Sequence, residues 1–290
     1  MMRIHTLLYC IIPTLNLKYL KIIKGEINLK KLRMIGGLLL FALMITVSFG
    51  FTKRNQNQWV NSKTPTIFVH GYGSSYNAEK YMVNHARKAG VTSTVVLARV
   101  DKNGSVKLSG PSIKNKRNPI VEVNLANNKQ VDMNEGARYI NNVVLALQKR
   151  DGIKSYNFVA HSMGNMDVFA YLSKYGSQSN APKLKKQVVL AGGGLGGWGN
   201  DNRMSSSMKD LMGQLKDNYP HAKVLNIAGN SGQGTDGRVP NSASRSVKAM
   251  LGDRPQSYRY VLYEGSQYTH SNLHENAKVA NRINRFLWGK

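Results

Sequence analysis

Residues Asn157 to Phe169, NFVAHSMGNMDVF, decide how the chain is read. The apolar run Tyr156 to Ala160 has the length and composition of a buried strand. Met163 to Tyr175 has the spacing of a helix. Ser162 falls between them, with small residues on either side at Ala160 and Gly164. A serine in so tight a strand-to-helix turn has its oxygen pushed out of the sheet. Small neighbours let the two backbones approach. The helix N-terminus directs N–H groups at the place where an oxyanion would form. The pattern is that of a nucleophile elbow, G-x-S-x-G, with Ala160 in place of the first glycine. A polar residue in an ordinary turn would look the same over five residues, so the flanking chain has to decide.

Outward from this turn, strands alternate with amphipathic helices from Pro65 onward, which implies a mainly parallel sheet covered on both faces. Strands are predicted at Thr66–His70, Thr94–Val100, Tyr156–Ala160, Gln187–Ala191, Lys223–Ala228 and Tyr258–Glu264. Helices are predicted over Ala78–Ala89 and Met133–Lys149, and from near Met163, Ser242 and Asn272. The last has Leu273, Ala277, Ala280, Ile283 and Leu287 on one face. Residues 102–125, with KNGSVKLSG and PIVEVNL, read as an antiparallel insert. Residues 192–220 read as a loop and a small cap, Met204 to Asn218, above Ser162. Gly192, Gly194 and Gly197 match G-x-G-x-x-G, but WGNDNRMSS after them is no helix start over a pyrophosphate. No dinucleotide or other cofactor is expected.

A serine nucleophile needs a base. Of seven histidines, His5 precedes the apolar N-terminal run and His85 lies on a helix. His161 adjoins the serine in a turn where neighbouring side chains diverge, and His221 precedes a strand. His270, in GSQYTHSNLHEN, follows the last strand, where this architecture builds its sites. His274 falls in the first turn of the last helix and reads as structural. The orienting carboxylate is expected between serine and histidine in chain order. Asp236, in the Gly-rich loop NSGQGTDGRVP, is preferred to Asp201. In His70-Gly71-Tyr72-Gly73-Ser74, the loop after the first strand, the Tyr72 N–H is placed to pair with that of Met163 as an oxyanion hole.

Together IFVHGYGSS, FVAHSMGNM, GTDGRVP and THSNLHEN resemble an α/β-hydrolase family of Gram-positive secreted and cell-envelope proteins. That family was formerly a domain of unknown function and includes carboxylesterases. The resemblance covers about residues 62–290. It implies an α/β-hydrolase fold over residues 65–290 and an ester-hydrolysing activity. Motif by motif, it implies a nucleophile at Ser162, an acid at Asp236 and a base at His270. The substrate it leaves open: a small-molecule or lipid ester. An acyltransferase would use the same residues.

The chain has 290 residues and one cysteine, Cys10, so no internal disulfide is possible. Neither H-E-x-x-H nor Cys/His ligand spacing occurs, so no metal is expected. Ile35 to Phe51 hold no charge for 17 residues, with Lys30, Lys31 and Arg33 before them and Lys53 and Arg54 after. Residues 34–52 therefore read as a signal peptide or membrane anchor, which puts the domain outside the cytoplasmic membrane. Residues 53–64 read as a polar linker. Residues 1–33 read as an N-terminal extension, either genuine or an overlong gene start. The 41 Lys and Arg against 15 Asp and Glu give a net charge of +26. Dispersed basic residues without a nucleic-acid-binding signature suit an anionic membrane or cell-wall polymer better than nucleic acid. A non-catalytic, basic envelope-binding protein is the reading from another class.

Overall fold

The structure, a computed structural model, describes residues 34, 36–46, 58–193 and 206–290. The chain divides into two units, Met1–Lys53 and Arg54–Lys290. In the first, residues 36–46 are helical. Among the described residues no helix is long and apolar enough to cross a membrane. The remainder of the expected signal or anchor, and the extension before it, lie outside the described residues.

The second unit is built on a sheet of eight strands. They are β1 Thr66–Val69, β2 Val95–Val100, β3 Val106–Ser109, β4 Ile120–Leu125, β5 Ser155–His161, β6 Lys183–Leu190, β7 Lys223–Asn230 and β8 Ser257–Glu264, in spatial order β3-β2-β4-β1-β5-β6-β7-β8. Every pairing is parallel except β2 with β3. Among the described residues of this unit six α-helices accompany it: α1 Lys80–Lys88, α2 Met133–Asp151, α3 Gly164–Lys174, α4 Ser206–Asn218, α5 Asn241–Leu251 and α6 Ala277–Trp288. This is the doubly covered sheet of the α/β-hydrolase fold.

Period-2 alternation sorts the core into two layers. On β5, Tyr156, Phe158 and Ala160 face one layer with residues of α2, α3, α4 and α5. Val159 faces the other, with Met82 and Val83 of α1 and Val279, Ile283 and Leu287 of α6. Removing the ring of Phe158, which is completely buried, would cost about 3–5 kcal/mol. Helix ends are set locally. Asp132 accepts from the Asn134 N–H to start α2, and Gly152 ends it with a left-handed φ of 64°. Asn276 accepts from the N–H groups of Lys278 and Val279 to start α6.

Three expectations change. The antiparallel insert at residues 102–125 is antiparallel only in β3, which pairs with β2. Its second half, β4, is an interior strand running parallel between β2 and β1. Ile120, Val121 and Val123 are buried on both faces, which is the pattern of a parallel interior strand rather than of a two-faced hairpin. The cap expected at 192–220 is also different. Residues 194–205, including Gly194, Gly197 and Asp201, lie outside the described residues. The described part, α4, puts Leu211 and Leu215 into the main core, so it is a sheet-covering helix. Finally, the end of the expected linker is docked. Trp59 is buried, its Nε1 donates to the Ala89 carbonyl at 2.7 Å, and the Val60 N–H donates to Trp288 O at 2.8 Å. A tryptophan carries enough apolar surface to hold a polar segment down.

Candidate active site

Ser162 directly follows β5 with φ of +55°, in the left-handed region. For a residue with a Cβ this costs about 1–2 kcal/mol, so the surroundings must hold it. They do: the Ser162 N–H donates to Leu190 O at 3.0 Å. The Asn165 side-chain amide donates to the carbonyls of Ser162 and Leu190 at 3.0 and 3.2 Å. Glycine is required at two contacts. A Cβ on Gly164 would lie 2.5 Å from His70 O, and one on Gly71 would lie 2.8 Å from Ser162 Cβ. The small residues beside the serine thus let β1, β5 and α3 come together.

Three of the expected residues meet here. His270 Nε2 is 2.8 Å from Ser162 Oγ, and His270 Nδ1 is 2.8 Å from Asp236 Oδ2. The second oxygen of Asp236 accepts the N–H groups of Arg238 and Val239 at 2.9 and 2.7 Å. The His270 N–H donates to Asp236 O at 2.8 Å, which ties the two loops by backbone as well. All three residues are buried. With the Asp236 carboxylate on Nδ1, the tautomer with its proton there leaves Nε2 as an acceptor for the serine hydroxyl.

The loop after β1 is fixed by His70. The Leu125 N–H donates to its Nε2 at 3.1 Å, so Nδ1 bears the proton and donates to Gly71 O at 2.9 Å. Burial lowers the pKa of this ring, which suits the neutral form that both bonds need. The Gly73 N–H donates to Asn128 O at 2.7 Å. Within this loop and turn, the N–H groups of Tyr72 and Met163 make no hydrogen bond to any described residue. Both residues line the pocket in front of Ser162.

That pocket has a volume of about 520 Å³, in the range of small-molecule sites. Its lining combines apolar Val131, Met133, Met163 and Met166 and the ring of Tyr72 with polar Ser74, His161, Arg238, Ser271 and His274. Val131 and Met133 also border an adjoining groove of about 460 Å³ beside α3 and α4. Sequence reasoning placed Met163 at the site but did not find Arg238, Met133 or Met166 as lining residues, because they come from separate loops and helices.

His161 and His274 form a support behind His270. The His161 Nε2 donates to His270 O at 3.0 Å. Its ring lies between those of His270 and His274, with centroids at 4.8 and 4.6 Å. Burial first, then the neighbouring imidazoles, hold its pKa well below the usual value. His274 sits in a separate 3-10 turn, Asn272–Glu275, rather than in α6, and burial lowers its pKa too. His85 and His221 are remote from the pocket; they bond Asn281 and the Arg254 carbonyl. Among the described residues, no cluster of His, Cys, Asp and Glu is placed to hold a metal ion.

Solved structures of the same fold include a gene product of Listeria innocua. It has a TM-score of 0.71 and 20% identity, and the match covers 78% of this chain and 94% of that one. Another, from Lactobacillus plantarum, is provisionally named a cell surface hydrolase. It has a TM-score of 0.68 and 22% identity, with coverage of 77% and 91%. No curated protein matches the chain. The sequence matches one family over residues 53–290, and the chain belongs to it: the α/β hydrolases of unknown function, DUF915.

Proposed function

We propose that this protein is a serine hydrolase of carboxylic esters, with Ser162 as nucleophile, His270 as base and Asp236 as the orienting acid. The observation that carries the reading is the unbroken hydrogen-bond chain from Ser162 through His270 to Asp236, 2.8 Å at each step. Ser162 Oγ attacks the ester carbonyl as its proton moves to His270 Nε2. Asp236, held by two backbone N–H groups, stabilises the imidazolium. The unengaged N–H groups of Tyr72 and Met163 receive the developing oxyanion. His270 returns the proton to the leaving alcohol, and a water activated by the same imidazole releases the acyl group.

The left-handed serine supports this reading, since strain of that kind persists where the surroundings impose it and concentrates at functional sites. Ser162→Ala is expected to lower kcat on short p-nitrophenyl esters by about a millionfold, with the melting temperature unchanged to within a few degrees. Activity within tenfold of the parent would remove Ser162 from the mechanism. Labelling by a fluorophosphonate probe, lost in the same variant, is the direct check.

The site of action proposed is the cell envelope. The uncharged 17-residue run after a basic cluster supports export or anchoring, and the +26 charge supports retention on an anionic membrane or wall polymer. Cell fractionation tests the location: full-length protein recovered in the cytosol would contradict it.

A further inference from the structure

We propose that Arg238 selects the substrate, an acyl ester whose alcohol part carries a phosphate group. The inference rests on the serine-hydrolase reading above and adds the substrate class to it.

The pocket is lined by residues of two kinds. Tyr72 and Val131 at its mouth are 51% and 76% exposed, and they belong to the few large apolar side chains that the described part of the second unit leaves in solvent. With Met133, Met163 and Met166 they offer an unbranched acyl chain a soft apolar wall. The loops of Asp236 and His270 contribute Arg238, Ser271 and His274 to the lining. Histidines aside, Arg238 is the one lining residue among those described that is charged at neutral pH, and no described carboxylate lines the pocket. Asp236 is 2% exposed and turned to His270. The Arg238 side chain has no hydrogen bond or ion pair with any described residue.

Chemistry then fixes which half of the ester meets which residues. The leaving oxygen has to take its proton from His270 Nε2, so the alcohol part departs on the histidine side. Arg238 comes from that side: its backbone N–H is bonded to the carboxylate that orients His270. The alcohol group is therefore the part within reach of a free guanidinium. Arginine presents a planar fork of donors that matches a phosphate or carboxylate. At an exposed rim, water and salt weaken a single charge pair, so a phosphate, whose monoester carries up to two charges and whose diester repeats along a polymer, is favoured over a lone carboxylate. The net +26 draws polyanions to the same surface.

The test compares kcat/KM of the full-length protein on three butyryl esters: 1-butyrylglycerol, 1-butyrylglycerol 3-phosphate and butyrylated poly(glycerol phosphate). The parent is expected to prefer phosphate esters over the neutral one. In Arg238→Gln that preference ratio is expected to fall about tenfold, chiefly through KM. Arg238→Lys should recover part of it, and Arg238→Glu should invert it. Dependence on Arg238 with the monomer supports a small or lipid-derived substrate. Dependence with the polymer alone supports a wall-polymer substrate. A ratio that Arg238→Gln leaves unchanged but 0.5 M salt (about 4 Å screening length) abolishes assigns the preference to the general field and overturns the role of Arg238. A parent that hydrolyses the neutral ester and takes the fluorophosphonate label, but shows no phosphate preference, overturns this inference and leaves the hydrolase standing. A parent that neither takes the label nor cleaves any ester overturns both.

Discussion

Asp236 and Glu79 are both buried carboxylates, at 2% and 0% exposure, with opposite surroundings. Asp236 accepts two backbone N–H groups on one oxygen and an imidazole on the other. Glu79, just before α1, has no hydrogen-bond partner for either oxygen among the described residues. Burial, and then the nearby Glu122, raise its pKa to about 8. An ionised carboxylate in the interior is tolerable only when donors replace water. Asp236 has such donors and can serve as a fixed anion beside a histidine. Glu79 lacks them and keeps its proton. Burial alone therefore says nothing of what a carboxylate does.

Substitutions can break this contrast. The largest effect is expected at the partnered carboxylate. Asp236→Asn should lower kcat on a neutral ester by about ten-thousandfold, because an amide on Nδ1 permits the wrong histidine tautomer. Far-ultraviolet circular dichroism should be unaltered. Activity within tenfold of the parent would show that another acid, such as Asp201, does the orienting.

Glu79→Gln should act on stability instead. The folded pKa of Glu79 lies above the ordinary carboxyl value of 4.5. Its contribution is therefore fully present below about pH 4.5 and is lost as pH rises to about 8, where both states are ionised. The slope from this one group is at most about 1.4 kcal/mol per pH unit. Asp167, raised to about 7 by burial, adds a term of the same sign. Urea unfolding at pH 5 and pH 8 should show a smaller loss of stability in Glu79→Gln than in the parent, with esterase activity retained at pH 7. An unchanged difference would mean that Glu79 titrates normally.

Glu122→Gln should flatten the same slope less. Burial raises the pKa of Glu122, but Lys80 and Arg87 pull it back. A larger effect than that of Glu79→Gln would reverse the ranking of the two sites.

That Ser162, Asp236 and His270 meet was legible because each follows a strand: β5, β7 and β8 end shortly before them. Strand ends are marked in sequence by apolar runs giving way to glycine and polar residues, and the order serine, acid, histidine narrows the choice. The parts misread lack such punctuation. In PIVEVNL the alternation of Val and polar residues matches a two-faced hairpin strand. Only the pairing of β4 with both β1 and β2 makes it interior. Helix α4 follows the glycine-rich sequence AGGGLGG, and its place on the flank depends on Leu211 and Leu215 finding the main core.

The sequence by itself determined the elements, their alternation, the charge and the residues at strand ends, because those follow from local periodicity and turn chemistry. Tertiary structure decided the rest: that His161 holds His270 by its carbonyl, that Glu79 is stranded without donors, and that Arg238 stands at a pocket that methionines also line. These depend on residues far apart in the chain meeting in space. Hydrogen-bond partnership and burial are properties of such meetings, and no local pattern encodes them.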